Sequence, residues 1–348
     1  MLGILLTAAT QPAQGQGVGE MNANYYLPMP TSTCTVAMGC TKNATTMTLD
    51  ANWRWAHKKG CEPECSGKDN CVSNDGHWTD QCIRDTNTGL PNCSCVLEGV
   101  GEKEWETNYG IRSEEPGSVN ITLVAGPSTT STVGVRTFLL SPVPCPNSSE
   151  PCPRPNTSGY EQFSLLNREF TFTVDVSRLP CGVAGKLQLI DMEPTGDFGT
   201  GEYPGNTAGA SYGTGYCNAK CANDVRWIKG SPNQLRSEVV GHADLNGYLG
   251  SCCTEFELFE GNAYANAFRS HSCRWCPPTP AHGVLLPPAP TSTRHTRRKI
   301  DACTSSATAL PPTFAAPARA PVPTHTLSGS LPPHTIPMRL RATRTCGT

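Results

Sequence analysis

Three glutamates and a histidine stand close together near the end of the ordered-looking part of the chain. Glu255, Glu257 and Glu260 fall within SCCTEFELFEGN, and His271 follows shortly after. Glu255 and Glu257 are two apart, so on a strand both carboxylates rise from one face. Glu260 comes five residues after Glu255 and in a regular strand faces the other way. A bulge that inserts one residue returns it to the acid-lined face. Two carboxylates brought together in this way can serve as nucleophile and general acid in glycoside hydrolysis with retention. An acidic, solvated strand or helix turn explains the same spacing, and the stretch alone leaves both readings open.

The whole chain narrows the setting. Its 348 residues suffice for one large domain or two ordinary ones. A net charge of −2 gives no basis for a nucleic-acid partner, and no apolar run has the length of a membrane span. The 19 cysteines suit a disulfide framework in an oxidising compartment, hence a secreted, extracellular protein. Sequons at Asn43, Asn92, Asn120, Asn147 and Asn156 agree with a secreted glycoprotein. Residues 1–16 read as a possible signal peptide with a short apolar core at Leu2–Ala9.

The elements that must position the acids read as strands. Glu169–Ser177 alternates Phe170, Phe172, Val174 and Val176 with polar residues, the pattern of a half-buried strand. Ser118–Val124, Val133–Leu140 and Lys186–Asp191 give further strands, separated by Gly, Pro and Asn clusters. No long stretch has a helical period. The expected fold is all-β, two sheets packed as a sandwich. Cys252 and Cys253 are adjacent, so on a strand they face opposite ways and bond elsewhere. Crossed bonds Cys217–Cys253 and Cys221–Cys252 would clamp the loop at 222–251 and fix the start of the acidic strand. A four-cysteine zinc site is the competing reading.

Five motifs then fall in order: TLDANWRWAH at 48–57, FTVDVSRLPCG at 172–182, NTAGASYGTGYCNAKC at 206–221, SCCTEFELFEGN at 251–262 and HSC at 271–273. Together they closely resemble glycoside hydrolase family 7, secreted cellobiohydrolases and endoglucanases that cut β-1,4-glucan. The resemblance covers about Cys34–Cys273. It implies a concave, jelly-roll type β-sandwich whose long loops form a glucan-binding cleft or tunnel, acting as a monomer without cofactor or metal. By position, Glu255 is the expected nucleophile, Glu260 the acid/base, Glu257 the residue that orients the nucleophile, and His271 an active-site support. Trp53 and Trp55 match tryptophans that stack on glucose units, although both also suit a core. Arg136 and Tyr216 match cleft residues, and Tyr216 equally suits packing beside Cys217. Cys34–Cys40 is a third expected disulfide.

Some positions depart from the family pattern. Glu257 stands where Asp is usual, Ala184 and Gln188 where Asn and Tyr are common, and Asn218-Ala219-Lys220 where cellobiohydrolases tend to have Asp-Ser-Gln. The EGN, ANA and HSC motifs look like the endoglucanases, whereas the loop at 222–251 is closer to the cellobiohydrolases, toward which the reading leans. The expected partition is a catalytic domain at 17–273 and a disordered Pro/Arg-rich tail at 274–348 with one acidic residue, Asp301. A shifted reading frame is the expected origin of that tail. Cys181 and Cys273 are then left without mates, in keeping with an odd cysteine total. The functional expectation is a retaining cellulase of cellobiohydrolase type. An endo-β-1,4-glucanase is the alternative within the family, and a non-catalytic secreted glucan-binding protein the alternative from another class.

Overall fold

The computed structural model describes residues 16–73, 78–79, 82–84, 91–114, 117–127, 131–142, 159–199, 206–233, 250–271, 283–285, 335–338 and 343–346. The apolar leader, the sequons at Asn147 and Asn156, Cys273 and most of the tail lie outside them. Among the described residues short strands dominate, with a single α-helix at Glu102–Thr107, so the all-β expectation holds. None of the helices is long and apolar enough to cross a membrane.

Seven strands carry the argument: β1 (Leu27–Pro28), β2 (Thr46–Leu49), β3 (Thr137–Leu140), β4 (Gly185–Ile190), β5 (Gly250–Cys252), β6 (Glu255–Gly261) and β7 (Asn266–His271). β2 lies between β3 and β1, and β6 lies between β4 and β7, all antiparallel. Met47 and Leu49 of β2 face a core of Leu27, Met29, Val100, Trp105, Ile111 and Val119. A second cluster joins Leu140, Tyr160, Met192, Tyr216, Val225, Ile228 and the Cys217 and Cys253 sulfurs.

Three strand expectations are corrected in extent. The alternation of Glu169–Ser177 persists as half-buried Phe172, Val174 and Val176 against exposed Thr173, Asp175 and Ser177, but the paired strand is only Arg168–Thr171. Its partner, Thr343–Cys346, supplies ladder bonds for that length alone. Ser118–Val124 divides into Ser118–Thr122 and Val124–Ala125, and Val133–Leu140 into Thr132–Val133 and β3. Within the stretch read as disordered, Gly283–Leu285, Thr335–Met338 and Thr343–Cys346 form strands paired to the body. Asn120 is buried and donates to Glu114 at 3.3 Å, which leaves no space there for a glycan.

Among the described residues, disulfides join Cys34 to Cys40, Cys61 to Cys65, Cys71 to Cys95, Cys217 to Cys253 and Cys221 to Cys252. Cys181 is free and exposed. The last two bonds close loops of 36 and 31 residues. Each restricts the unfolded chain by about 3–4 kcal/mol. Their sulfurs are consumed in S–S bonds, so the zinc alternative at these four cysteines falls away.

The TLDANWRWAH segment turns beneath this scaffold. Asp50 caps the 3₁₀ turn Ala51–Trp53 by accepting from Asn52 N at 2.8 Å. Arg54 points inward and gives its donors to Leu49 O, Asn24 Oδ1, Glu98 O and Thr48 Oγ1, all within 2.9–3.1 Å. Trp53 and Trp55 therefore flank a turn rather than sharing a strand face. Gly213, at φ +72°, lets the motif at 206–221 approach β2: a Cβ there meets Leu49 O at 2.2 Å. Ala51 N donates to Gly213 O at 3.0 Å across the same contact. Gly213→Ala combines left-handed strain with a backbone clash and should cost at least about 3 kcal/mol. A denaturant midpoint unchanged from the parent would refute this packing argument.

Candidate active site

The acids are arranged by the register of β6. Against β4, Glu260 pairs with Lys186, Phe259 with Leu187, Glu257 with Gln188 and Glu255 with Ile190. Leu258 is the extra residue: the ladder shifts between Leu187 and Gln188, and on the β7 side between Glu257 and Glu260. This bulge moves Glu260 onto the face already occupied by Glu255 and Glu257. Lys186 and Gln188 are two apart on β4, so they rise on that same face.

Each carboxylate has a different environment. Glu255 is 4% exposed and is held by neutral donors, the Gln188 side-chain amide on Oε1 and Ala219 N on Oε2 at 3.2 Å. The turn that supplies Ala219 is tied down on both sides. Cys217 and Cys221 bond Cys253 and Cys252. Asn218 exchanges backbone hydrogen bonds with Ser251 O and Cys253 N at 3.2 and 3.1 Å. Glu257 is 1% exposed and lies among basic side chains: Lys186 Nζ at 3.1 Å, His271 Nε2 at 3.4 Å and Arg269 Nη1 at 3.6 Å. Glu260 meets Lys186 Nζ at 3.0 Å and Arg269 Nη1 at 2.5 Å.

A cavity of about 830 Å³ opens over this face, with Glu255, Glu257, Lys186, Gln188, Tyr216, Arg136 and Trp53 in its walls. Arg136 binds Asp50 through Nε at 2.6 Å and lies 3.3 Å above the Tyr216 ring. Burial alone lowers the Arg136 pKa, but the Asp50 charge, the Tyr216 phenol and the Asp50 hydrogen bond together leave it above its ordinary value. Burial pushes the Tyr216 phenol up, and the guanidinium draws it partly back. Trp53 gives its indole N–H to Gly134 O at 2.9 Å. Trp55 does not line the cavity; its indole N–H reaches Asn70 Oδ1 at 2.8 Å and its ring packs on His57. Sequence reasoning missed Lys186 and Arg269. The β4 alternation held a signal for Lys186, since it shares a strand face with Gln188.

Glu257 links this site to stability. Burial raises its pKa, but the hydrogen bond and charge of Lys186, then those of His271, outweigh burial and leave it below the ordinary 4.5. A group depressed on folding contributes stability that is full above the unfolded value and lost as pH falls through the folded one. The melting temperature of the parent should therefore drop more steeply from about pH 5 to about pH 3 than that of Glu257→Gln. Parallel slopes in thermal melts would argue against the linkage.

Residues 18–281 match the family model for glycosyl hydrolase family 7. A cellobiohydrolase of that family from Daphnia pulex is similar at 34% identity and a TM-score of 0.62, over 77% of this chain and 54% of that one. A cellobiohydrolase from Melanocarpus albomyces, solved with cellotetraose, gives 30% identity and a TM-score of 0.59, over 77% and 55%. Endocellulase EGI of Humicola insolens gives 25% and 0.55, over 78% and 56%. The chain thus spans about half the length of these structures, and it shares their β-sandwich architecture. With the family model matched over most of its length, the chain belongs to glycosyl hydrolase family 7.

Proposed function

We propose that the protein hydrolyses β-1,4-glucosidic bonds of cellulose or a related glucan with retention, in the manner of a cellobiohydrolase. The observation that carries this reading is the bulge at Leu258, which gathers Glu255, Glu257 and Glu260 on one face, with Glu255 and Glu257 in the cavity wall. In the first step a Glu255 oxygen attacks the anomeric carbon while Glu260 gives a proton to the departing glycosidic oxygen. The sugar becomes an ester of Glu255. In the second step Glu260, now a carboxylate, takes a proton from water, and that water displaces Glu255. Two inversions at one carbon retain the β configuration.

The other residues supply position. Gln188 and Ala219 N hold the two Glu255 oxygens, so the nucleophile enters the reaction already aimed. Glu257 and His271 brace the centre of β6. Trp53 offers an aromatic surface to a pyranose ring at the far side of the cavity, with Arg136 and Tyr216 as polar contacts. Trp55 joins this platform only if a sugar binds outside the cavity proper. Cellotetraose in the Melanocarpus albomyces enzyme supports a β-1,4-glucan as ligand class. The described disulfides support an extracellular setting.

A second reading is a secreted glucan-binding protein without turnover, favoured by the two cations that occupy Glu260. Substitution separates them. Glu255→Gln should lower the release of reducing sugar from soluble β-glucan at least about 10³-fold, with oligosaccharide affinity by calorimetry retained. Glu260→Gln should lower it about 10²–10⁴-fold. A parent protein that binds the glucan and releases nothing would favour the binding reading. Product lengths from cellulose and from substituted soluble cellulose distinguish exo from endo attack.

A further inference from the structure

Outside the cleft, four side chains with metal-ligand chemistry converge on one buried imidazole. His57 is the middle residue of the strand Ala56–Lys58, opposite Val96, and is fully buried. Its Nδ1 is 3.1 Å from the Cys61 sulfur, 3.5 Å from the Cys65 sulfur and 3.9 Å from Glu62 Oε1. Its Nε2 is 2.7 Å from Oε1 of Glu98, which is 1% exposed and accepts from Asn22 N at 2.8 Å. None of these residues lines the cavity over Glu255. We propose that opening of the Cys61–Cys65 disulfide by a dithiol reductant creates a binding site for a thiophilic divalent cation such as Zn²⁺. Its ligands are the two thiolates and His57 Nδ1, with Glu62 or water in the fourth position.

The donor set fits such an ion. Zinc–sulfur bonds of about 2.3 Å and a zinc–nitrogen bond of about 2.0 Å at tetrahedral angles put the nitrogen about 3.6 Å from each sulfur. The Nδ1–sulfur distances are already near that value, and the sulfurs need only part to about 3.8 Å once their bond is broken. The Glu98 oxygen on Nε2 is the carboxylate–histidine pairing that orients a metal-ligating ring. Lys58 O, 3.0 Å from Nδ1, accepts any proton there, and a metal ion displaces that proton. Backbone bonds hold the loop independently of the disulfide: Cys71 N to Ala56 O at 2.8 Å, Lys59 N to Ser94 O at 2.7 Å and Glu64 N to Cys61 O at 3.0 Å. Ser66 and Asp69 add a reciprocal cap to the turn Gly67–Asp69. Cys61 and Cys65 are half-buried and four residues apart, whereas Cys71–Cys95 is fully enclosed. A short closed loop restrains the unfolded chain least, so its reduction disturbs the fold least. The dithiol gives up two electrons and two protons, closes to its own disulfide and leaves two protein thiols. The cation then takes both as thiolates and releases two protons. Disulfide and metal exclude each other, and an oxidising compartment holds the disulfide form.

The test uses the full chain, treated with dithiothreitol until peptide mass mapping shows Cys61 and Cys65 reduced. The reductant is removed without air and Co²⁺ or Zn²⁺ is added alone. Co²⁺ should produce a near-ultraviolet thiolate-to-cobalt charge-transfer band that saturates at one equivalent, is absent from the oxidised chain and is displaced by Zn²⁺. The band should be lost in Cys61→Ser/Cys65→Ser and retained in Cys34→Ser/Cys40→Ser, which removes the other disulfide with an exposed sulfur. X-ray absorption of the zinc form should show sulfur at about 2.3 Å together with imidazole nitrogen at about 2.0 Å; a shell of sulfur alone would overturn the inference. One readout needs no variant. Zn²⁺ should slow iodoacetamide labelling of Cys61 and Cys65 at least about tenfold relative to the free, exposed Cys181. Unchanged labelling rates, a band that persists in the Cys61→Ser/Cys65→Ser chain, or no band when both thiols are shown to be reduced would each overturn it.

Discussion

One additional residue in a seven-residue strand governs the rest of the site. A regular strand cannot present positions 255, 257 and 260 on one face, because its period is two. The bulge at Leu258 supplies the missing step, and with it comes a loss of ladder bonds at that point. β6 tolerates the loss because it is paired on both edges, to β4 and to β7. The consequence is electrostatic. Three carboxylates on one buried face repel one another and lose hydration, so the flanking strands must return charge. Lys186 from β4 and Arg269 from β7 do so, and His271 Nε2 lies 3.4 Å from Glu257.

The same strand needs a fixed starting point, or the bulge would simply slip. Cys252 and Cys253 provide it, since neighbouring side chains leave in opposite directions and each is bonded to a different residue of one turn. That turn then returns a backbone N–H to Glu255. On its other side the motif at 206–221 packs against β2 through Gly213, and Asp50 at the end of β2 anchors Arg136 over Tyr216. A continuous path of packed backbone therefore runs from the buried Arg54 turn to the acids. A disturbance at either end is transmitted by contacts too close to absorb it.

Local spacing made parts of this legible in advance. The five-residue gap between Glu255 and Glu260 already required a bulge, and adjacent cysteines already required separate partners. Alternation in 169–177 gave the burial of Phe170 to Val176 correctly but not the extent of pairing, because a strand ends where its partner ends. Nothing in the spacing of Trp53 and Trp55 reveals that Asp50 caps a 3₁₀ turn at this point. The burial of Arg54 depends on four acceptors supplied by residues 24, 48, 49 and 98, which local spacing does not bring together. Lys186 and Arg269 were overlooked for a related reason. A cation has no meaning for catalysis until inter-strand register says which carboxylate it meets.

Register also accounts for the residue at which this chain departs from its family's pattern. Glu257 lies opposite Gln188 on one side and Arg269 on the other, with Lys186 and His271 each two pairs further along. Its carboxylate reaches Lys186, Arg269 and His271 while remaining 1% exposed. An aspartate at 257 is one methylene shorter, and its carboxylate stops closer to the backbone, farther from Lys186 and Arg269. A buried carboxylate that loses such partners keeps the full cost of its desolvation. The longer acid and the two cations are thus parts of one arrangement. Restoration of Asp alone would leave Lys186 and Arg269 to act on Glu260 without the charge that Glu257 now shares with it.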